Sequence, residues 1–161
     1  MPDEAVILLV EDREDDILLI RKAFERGKIT NPLQVLRGGE EAISYLSGVG
    51  KFSNRAEYPL PDLLLLDLKM PGIDGFEVLR WIRQNPGLSR MPVVVLSSSE
   101  DMRDVNQAYQ LGANSFMIKP MDFENVVELG KMLKTYWLRM NKAPDSSRPS
   151  TKSAGKPEPS S

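Results

Sequence analysis

The chain has 161 residues, of which 41% are hydrophobic and 27% charged, and its net charge is -2. This length and composition predict one domain with a hydrophobic core. Charges this evenly balanced, with no basic cluster, argue against nucleic acid as a partner. Cysteine is absent, which excludes disulfides and thiolate metal sites and suits the cytoplasm. No apolar segment is long enough to span a membrane, so we expect a cytoplasmic protein.

Short apolar runs alternate with segments of helical spacing. Strands are predicted at 5–10, 33–36, 62–67, 92–97 and 114–119, with helices between them and a last helix at 123–140. Five strands interleaved with five helices predict an α/β fold with a parallel sheet. The long connection 48–61 is a candidate contact surface. Residues 141–161 lack large apolar side chains, so we expect a domain at 1–140 and a disordered tail.

Asp67 is the most informative single residue. It follows four consecutive leucines, Leu63–Leu66, which are typical of a strand buried on both faces of a parallel sheet. Asp67 would then lie at the carboxyl end of the strand, where open α/β sheets bind their ligands. The alternative is an aspartate that caps the next turn through nearby backbone amides. Asp67 alone does not decide between the two.

Polar residues also follow the other predicted strands. Glu11 and Asp12 follow the first strand, Ser97 ends the fourth, and Lys119 ends the fifth. If the strand order is 2-1-3-4-5, which we take from known doubly wound folds and not from the sequence, these residues meet around Asp67. Each alone has an ordinary explanation as a helix cap, a turn residue or a surface lysine. Their joint occurrence at one edge of the sheet favours a functional site.

The chemistry of this set indicates phosphoryl transfer. Carboxylates about 4 Å apart repel each other by roughly 4 kcal/mol at an effective dielectric constant near 20, so Glu11, Asp12 and Asp67 need a cation. Mg²⁺, or Mn²⁺ in its place, suits a site of oxygen ligands. Asp67 would then attack a phosphorus atom, while Lys119 and Ser97 share the charge of the transferred oxygens.

These residues resemble the receiver domain of two-component response regulators, over about residues 6–140. The resemblance implies a flavodoxin-like, doubly wound five-stranded sheet in the order 2-1-3-4-5, with Asp67 as the phosphoacceptor. It further implies that Asp12, Asp67 and the backbone carbonyl of Lys69 bind Mg²⁺ directly, and that Glu11 binds it through water.

The remaining motif residues match the same family. Ser97 and Lys119 match its hydroxyl and lysine, and Phe116 matches its aromatic switch position. The turn at 70–75, Met-Pro-Gly-Ile-Asp-Gly, also follows the family pattern. Two residues depart from it: Glu11 stands where aspartate is commoner, and Phe116 lacks the hydroxyl of tyrosine. The resemblance also implies a cis peptide bond between Lys119 and Pro120.

A narrower resemblance is to the single-domain regulators that partner phytochrome histidine kinases. It is carried by the long connection 48–61, the segment 92–99, Pro-Val-Val-Val-Leu-Ser-Ser-Ser, and the Tyr-Trp-Leu sequence at 136–138. It implies a sensor histidine kinase of phytochrome type as partner. It also implies a dimer through the fourth and fifth helices and the last strand. The sequence has no histidine, so we expect phosphate to arrive from another protein.

The last helix is predicted to carry more apolar surface than packing on the sheet requires. At about 100° per residue, the face predicted to pack on the sheet contains Phe123, Val126, Val127, Gly130, Leu133 and Trp137. A second apolar stripe is predicted at Leu129, Met132, Tyr136 and Met140. Exposed apolar patches mark interaction sites, which favours a homodimer through this helix. The alternative is that a neighbouring helix covers the stripe.

Three other functions are weighed against the phosphoacceptor. A haloacid-dehalogenase-like phosphatase needs an acid two residues after the nucleophile, where Lys69 stands. A flavodoxin-like flavin binder needs a phosphate-binding first loop, whereas the acidic run 11–16 would repel phosphate. A receiver-fold interaction domain without phosphorylation is disfavoured because every site residue is present. We therefore expect no enzyme beyond phosphoryl uptake and hydrolysis on the chain itself. We expect output by protein contact, with no DNA-binding segment.

Overall fold

The computed structural model describes residues 5–135, which form a parallel sheet covered by helices on both faces. The strands are β1 (Ile7–Val10), β2 (Leu33–Leu36), β3 (Leu63–Leu66), β4 (Val93–Ser97) and β5 (Ser115–Ile118). The helices are α1 (Glu14–Arg26), α2 (Gly39–Ser47), α3 (Gly75–Gln84), α4 (Met102–Gln110) and α5 (Phe123–Met132). The strand order is β2-β1-β3-β4-β5, which confirms the predicted α/β fold.

The four leucines of β3 divide between the two faces of the sheet. Leu64 and Leu66 pack in the core with α2, α3 and α4, whereas Leu63 and Leu65 pack in the core with α1 and α5. All four are buried. Successive side chains of a strand point to opposite faces, so a central strand covered on both sides needs an apolar residue at every position. Asp67 is therefore the first residue after β3 whose side chain need not enter a core.

Helices α1 and α5 are in direct backbone contact. A Cβ atom at Gly130 of α5 would collide with the backbone carbonyl oxygen of Ala23 in α1. A Cβ at Gly27, just after α1, would in turn lie 2.6 Å from the Gly130 carbonyl oxygen. Glycine is required at both positions because the two backbones leave no room for a side chain. This contact fixes the position of α1 relative to α5.

The connection 48–61 packs against the end of α2. The Arg55 guanidinium donates hydrogen bonds of 2.8 Å to the backbone carbonyls of Tyr45 and Leu46. The ring of Phe52, in a short 3-10 turn, is buried and lies 5.1 Å from the rings of both Tyr45 and Tyr58. An arginine that holds the last carbonyls of a helix and an aromatic cluster beneath it explain how a long connection is ordered.

Two predictions for α5 are wrong. Phe123, predicted to face the sheet, is 56% exposed, and the guanidinium of Arg26 lies 4.9 Å from the centre of its ring. Leu129, predicted in the outer stripe, is buried in the core beside α1. The reason is that α5 packs on α1 as well as on the sheet, which rotates its buried face. Met132 is 45% exposed, as predicted for the stripe.

Some predictions lie outside the described residues. These are the end of the last helix, with Tyr136, Trp137 and Met140, and the tail at 141–161. Between residues 5 and 135, no helix combines the length and the apolar character that a membrane span requires.

Candidate functional site

The carboxyl ends of β1 and β3 bring three carboxylates together. The two strands pair directly, with Val10 opposite Leu66, so the residues that follow them are neighbours. A hydrogen bond of 3.0 Å from the Asp67 N–H to the Val10 carbonyl extends this pairing by one residue. Glu11, Asp12 and Asp67 each offer a carboxylate oxygen within 4.8 Å of the others. Their proximity therefore follows from the strand register.

Lys119, which follows β5, provides a buried cation beside Asp67. Its Nζ lies 2.6 Å from Glu11 Oε1, 2.8 Å from Asp16 Oδ2 and 3.2 Å from Asp67 Oδ1. Lys119 is 6% exposed and Asp67 is 3% exposed. Burial alone would lower the pKa of Lys119, but its hydrogen bonds to Asp16 and Glu11 and the charge of Asp67 outweigh burial and raise it. Lys119 therefore stays charged at neutral pH.

Asp16 is the site residue that sequence reasoning missed. It lies in the first turn of α1, and its carboxylate binds Lys119 as closely as the residues at the strand ends do. The exposed Arg13 lies farther away, with its Nε 3.6 Å from Asp16 Oδ2. The acidic run 11–16 was the available signal. Three acids lie in the first turn of α1, and the sequence does not indicate which of them faces the edge of the sheet.

Burial and nearby negative charge raise the pKa of two of the carboxylates, Glu11 and Asp67. Burial raises the pKa of Glu11 to about 7; the nearby Asp67 charge also raises it, and the hydrogen bond from Lys119 opposes both. Burial likewise raises the pKa of Asp67, against the opposing charge and hydrogen bond of Lys119 and a hydrogen bond from the Lys69 backbone N–H. One ammonium therefore does not neutralise the acidic cluster.

The donor set fits a divalent cation. Asp12 Oδ1 is buried and has no hydrogen-bond partner, although a buried polar atom is costly unless it is bonded. The carboxylate that carries this atom also supplies one of the oxygens that Glu11, Asp12 and Asp67 bring within 4.8 Å of one another. Mg²⁺ and Mn²⁺ prefer oxygen ligands, and one such cation would both satisfy Asp12 and reduce the repulsion.

Ser97, the last residue of β4, is fully buried and lies at the same end of the sheet as Lys119. Its Oγ accepts a hydrogen bond of 3.0 Å from the Ser99 N–H. Its backbone carbonyl accepts a hydrogen bond of 2.8 Å from the Lys119 N–H, which sets β4 and β5 in register at this edge. A hydroxyl that accepts one hydrogen bond still has its own proton to donate.

The structure does not bring Phe116 or the Lys69 side chain into the acidic cluster. Phe116 is partly buried against the core of α2, α3 and α4, and its N–H donates a hydrogen bond of 3.1 Å to the Tyr109 hydroxyl. The Lys69 ammonium lies 3.4 Å from Asp104 Oδ2 of α4. The sequence did not predict that Tyr109 binds Phe116 or that Asp104 binds Lys69, because each pair joins different elements of the fold.

The start of α3 is held close to the backbone of Asp67. Asp74 caps α3 in a capping box with Glu77, and a Cβ on the next residue, Gly75, would collide with the Asp67 carbonyl oxygen. The Gly75 N–H donates a hydrogen bond of 2.9 Å to the Leu68 carbonyl. The Asp-Gly pair of the sequence motif thus lets α3 begin directly beside Asp67.

The predicted cis bond between Lys119 and Pro120 is wrong. No peptide bond within residues 5–135 is cis. The trans form is the lower-energy one even before proline, by about 0.5–1 kcal/mol. With the trans bond, Lys119 still reaches all three of its carboxylate partners.

Comparison with known proteins identifies the family. The family described as the response regulator receiver domain matches residues 7–131. The chain belongs to the response regulator receiver family. This confirms the resemblance found in the sequence. Receiver domains are signalling proteins.

Individual relatives agree in length and fold. The probable methanogenesis regulatory protein FilR2 of Methanothrix harundinacea is 39% identical, covering 88% of this chain and 89% of FilR2. The response regulator Rcp1 of Synechocystis is 38% identical, covering 86% of this chain and 95% of Rcp1. The structure of Mn²⁺-bound Rcp1 has a TM-score of 0.78, with 37% identity over 87% of this chain and 99% of that one. The structure of the phosphorylated cyanobacterial phytochrome response regulator RcpA has a TM-score of 0.80, with 36% identity over 88% of this chain and 99% of RcpA. This receiver domain is homologous to phytochrome response regulators.

Proposed function

We propose that this receiver domain accepts a phosphoryl group on Asp67 from a sensor histidine kinase, in a reaction that requires Mg²⁺ or Mn²⁺, and signals by protein contact. One observation carries the proposal. Asp67 is buried beside both a charged lysine and an acidic cluster whose Asp12 Oδ1 has no partner. A structural cap would have its oxygens satisfied by backbone amides and would need neither the second acid nor the lysine.

The residues of the chain account for the transfer. An oxygen of the Asp67 carboxylate attacks phosphorus, the bond from phosphorus to the donor group breaks, and the donor group leaves with that electron pair. Lys119 stays beside Asp67, where its ammonium stabilises the negative charge of the transferred oxygens. Ser97 provides a hydroxyl proton for another of these oxygens. Hydrolysis by water would later restore the Asp67 carboxylate and release inorganic phosphate.

The cation would be held by the three carboxylates. Asp12 and Asp67 are the direct ligands expected from the resemblance, with the Lys69 backbone carbonyl, and Glu11 acts through water. When bound, the cation supplies positive charge to the oxygens of the phosphoryl group. In its absence, Glu11 and Asp67 hold protons more strongly than ordinary acids.

A phytochrome kinase is the partner that the relatives favour. RcpA is described as a phytochrome response regulator, and this chain aligns with 99% of it. FilR2, a probable methanogenesis regulatory protein, is similar in sequence identity, so sensor kinases other than phytochromes belong in the comparison as well. Phosphotransfer from a panel of sensor kinases, with phytochrome kinases among them, tests this choice. We expect the fastest transfer from a phytochrome kinase, and uniformly slow transfer from all phytochromes would contradict it.

We also propose a homodimer through α5, with part of α4 and β5. Large apolar side chains are exposed on all three elements: Met132 on α5, Ile118 on β5, and Met102 and Tyr109 on α4. Large apolar side chains exposed on elements that neighbour one another support an interaction site there. Met132→Glu should give a folded monomer that still accepts phosphate. Val49→Glu is the matched control, because Val49 is also exposed but lies after α2 at the far side of the sheet. Sedimentation that shows the parent to be monomeric at micromolar concentration, phosphorylated or not, would contradict the dimer.

The acceptor itself is tested with acetyl phosphate. We expect labelling of the parent only when a divalent cation is present, and no labelling of Asp67→Asn, because an amide is not nucleophilic. Asp62→Asn is the control, since Asp62 precedes β3 and lies at its other end. Labelling of Asp67→Asn at the parental rate would mean that another residue accepts the phosphoryl group.

A further inference from the structure

We propose that Asp16 is a positioning residue that competes with the phosphoryl group for Lys119 and thereby weakens the phosphorylated state. This rests on the proposed function of Asp67. An ammonium has three N–H donors, and Lys119 has three carboxylate partners. Among these, the contact with Asp67 at 3.2 Å is the longest, whereas Asp16 lies at 2.8 Å and Glu11 at 2.6 Å. Lys119 is therefore held closer to its two other partners than to the acceptor.

Asp16 depends on Lys119 more than the other two carboxylates do. Glu11 and Asp67 belong to the cluster that fits a divalent cation, and Asp16 does not. Its second basic neighbour is Arg13, at 3.6 Å and with a largely exposed side chain. Surface ion pairs of this kind contribute little. If Lys119 moves towards a phosphoryl group, Asp16 loses its only close and buried cation among the described residues.

Asp16 also has little freedom to follow Lys119. It belongs to α1, and the backbone of α1 is fixed against α5 at Gly130 and Ala23, where not even a Cβ atom fits. Only rotation of the Asp16 side chain remains possible. The change in distance between Asp16 and Lys119 must therefore come mainly from movement of the Lys119 side chain.

Phosphorylation increases the demand for this ammonium. The carboxylate of Asp67 carries one negative charge, whereas an acyl phosphate carries up to two on its phosphoryl oxygens, by analogy with other phosphorylated side chains. The new oxygens lie beyond the Asp67 carboxylate, so Lys119 must shift away from Asp16 to bond them fully. Asp16 keeps part of that ammonium's hydrogen bonding and lowers the affinity of the site for a phosphoryl group.

Beryllofluoride tests the competition at equilibrium, because it binds a carboxylate oxygen in place of water and mimics a phosphoryl group without a leaving group. Calorimetric titration at saturating Mg²⁺ compares the parent with Asp16→Asn and Asp15→Asn. Asp15 is the matched control, since it is the adjacent acid in the same helical turn and is exposed. We expect Asp16→Asn to tighten beryllofluoride binding roughly tenfold, as removal of one charge-assisted hydrogen bond would, and Asp15→Asn to change it less than twofold.

A second comparison separates competition from simple repulsion. In a Lys119→Met background, Asp16→Asn should tighten binding no more than Asp15→Asn does, because the shared ammonium is gone. Equal effects of the two aspartate substitutions in the parent, or weaker binding by Asp16→Asn, would overturn the role of Asp16 and leave the proposed function intact. A parent that binds no beryllofluoride, or an Asp67→Asn variant that binds it as the parent does, would overturn both.

Discussion

The two ends of the sheet each contain a cation with several bonded partners, a partly buried arginine at one end and a buried lysine at the other, and the surroundings of the two cations differ in charge. At the amino ends of β4 and β5, the Arg83 guanidinium donates hydrogen bonds to the carbonyls of Ser89, Met91 and Gly112 and to Asn114 Oδ1, at 2.6–3.0 Å. All of these acceptors are neutral. At the carboxyl ends, Lys119 faces three carboxylates, and a fourth, Asp12, has an oxygen without a partner.

The difference separates a structural site from a functional one. Arg83 satisfies the groups that surround it, and burial in this neutral setting lowers its pKa. Lys119 leaves an excess of negative charge, and its pKa is raised. A fully satisfied network stabilises one conformation, whereas an unbalanced one changes when charge is added. The carboxyl end therefore fits a divalent cation, and the proposed phosphorylation of Asp67 would take place there.

The largest expected effect is on phosphorylation, from Lys119→Met. Without the ammonium, no other buried cation of the described residues faces Asp67, so the rate of labelling by acetyl phosphate should fall at least about a hundredfold. Initial rates at saturating Mg²⁺ measure this. A loss of less than tenfold would show that Lys119 is a structural neutraliser and not part of the transfer.

Arg83→Met should lower the stability of the fold and leave phosphorylation unchanged. It removes the hydrogen-bond donors of three backbone carbonyls, most of them partly buried, which costs about 2–4 kcal/mol of unfolding free energy. Urea denaturation measures this loss, and labelling of Asp67 well below the melting temperature should be unchanged. Arg80→Met is a suitable control, because Arg80 lies on the exposed face of α3. A defect in labelling without a loss of stability would contradict the division between the two ends.

Asp12→Ala should raise the melting temperature of the metal-free protein. It removes a buried oxygen without a partner and one of the repelling charges, which together cost about 1–3 kcal/mol. We expect a rise of about 2–4 °C per kcal/mol, and loss of the stabilisation that Mg²⁺ gives the parent. Thermal melts with EDTA and with Mg²⁺ show both effects. A lower melting temperature in EDTA would mean that Asp12 is a structural cap.

The acidic cluster should also make metal-free stability depend on pH. The pKa of Glu11 is about 7 in the fold and 4.5 ordinarily, so the folded state holds the proton more strongly. Its contribution to stability is complete below pH 4.5 and is lost as the pH rises through about 7. Stabilisation by Mg²⁺ should increase over the same interval, because bound carboxylates must be deprotonated. Glu11→Gln should flatten both profiles in thermal melts, and an unchanged slope would exclude Glu11 as their source.

The smallest expected effect is that of Lys69→Ala on the lifetime of the phosphoryl group. Lys69 stands two residues after Asp67, at a position where a side chain can obstruct the water that attacks the phosphoryl group. Its ammonium is held 3.4 Å from the carboxylate of Asp104. We expect hydrolysis to change roughly two- to fivefold, well below the effect of a direct contact. The decay of labelled protein after removal of the donor measures this change. An identical decay would exclude a role for the Lys69 side chain.

The sequence was sufficient where one residue pattern determines one environment. Four leucines before Asp67 are typical of a doubly buried strand, and together with a strand order taken from known folds they predicted that Glu11, Asp12 and Lys119 lie near Asp67, as the structure shows. The sequence was insufficient where the packing of two helices on each other determines which face is buried. Phe123 and Leu129 were assigned to the wrong faces because α5 also packs on α1. Asp16 was missed because three acids share the first turn of α1 and only the tertiary structure shows which of them reaches Lys119; Arg83 was missed because its partners include Gly112 and Asn114, far along the chain.

The acceptor is tested most directly by chemical mapping of the phosphorylated residue. After incubation with acetyl phosphate and Mg²⁺, borohydride reduces an acyl phosphate to an alcohol, which peptide sequencing by mass spectrometry locates. We predict reduction at Asp67 alone, and none when Mg²⁺ is omitted. Reduction at Asp12 or Glu11, or stable phosphate on Ser97 in place of an acyl phosphate, would contradict the assignment of Asp67 as the residue that this edge of the sheet is built to phosphorylate.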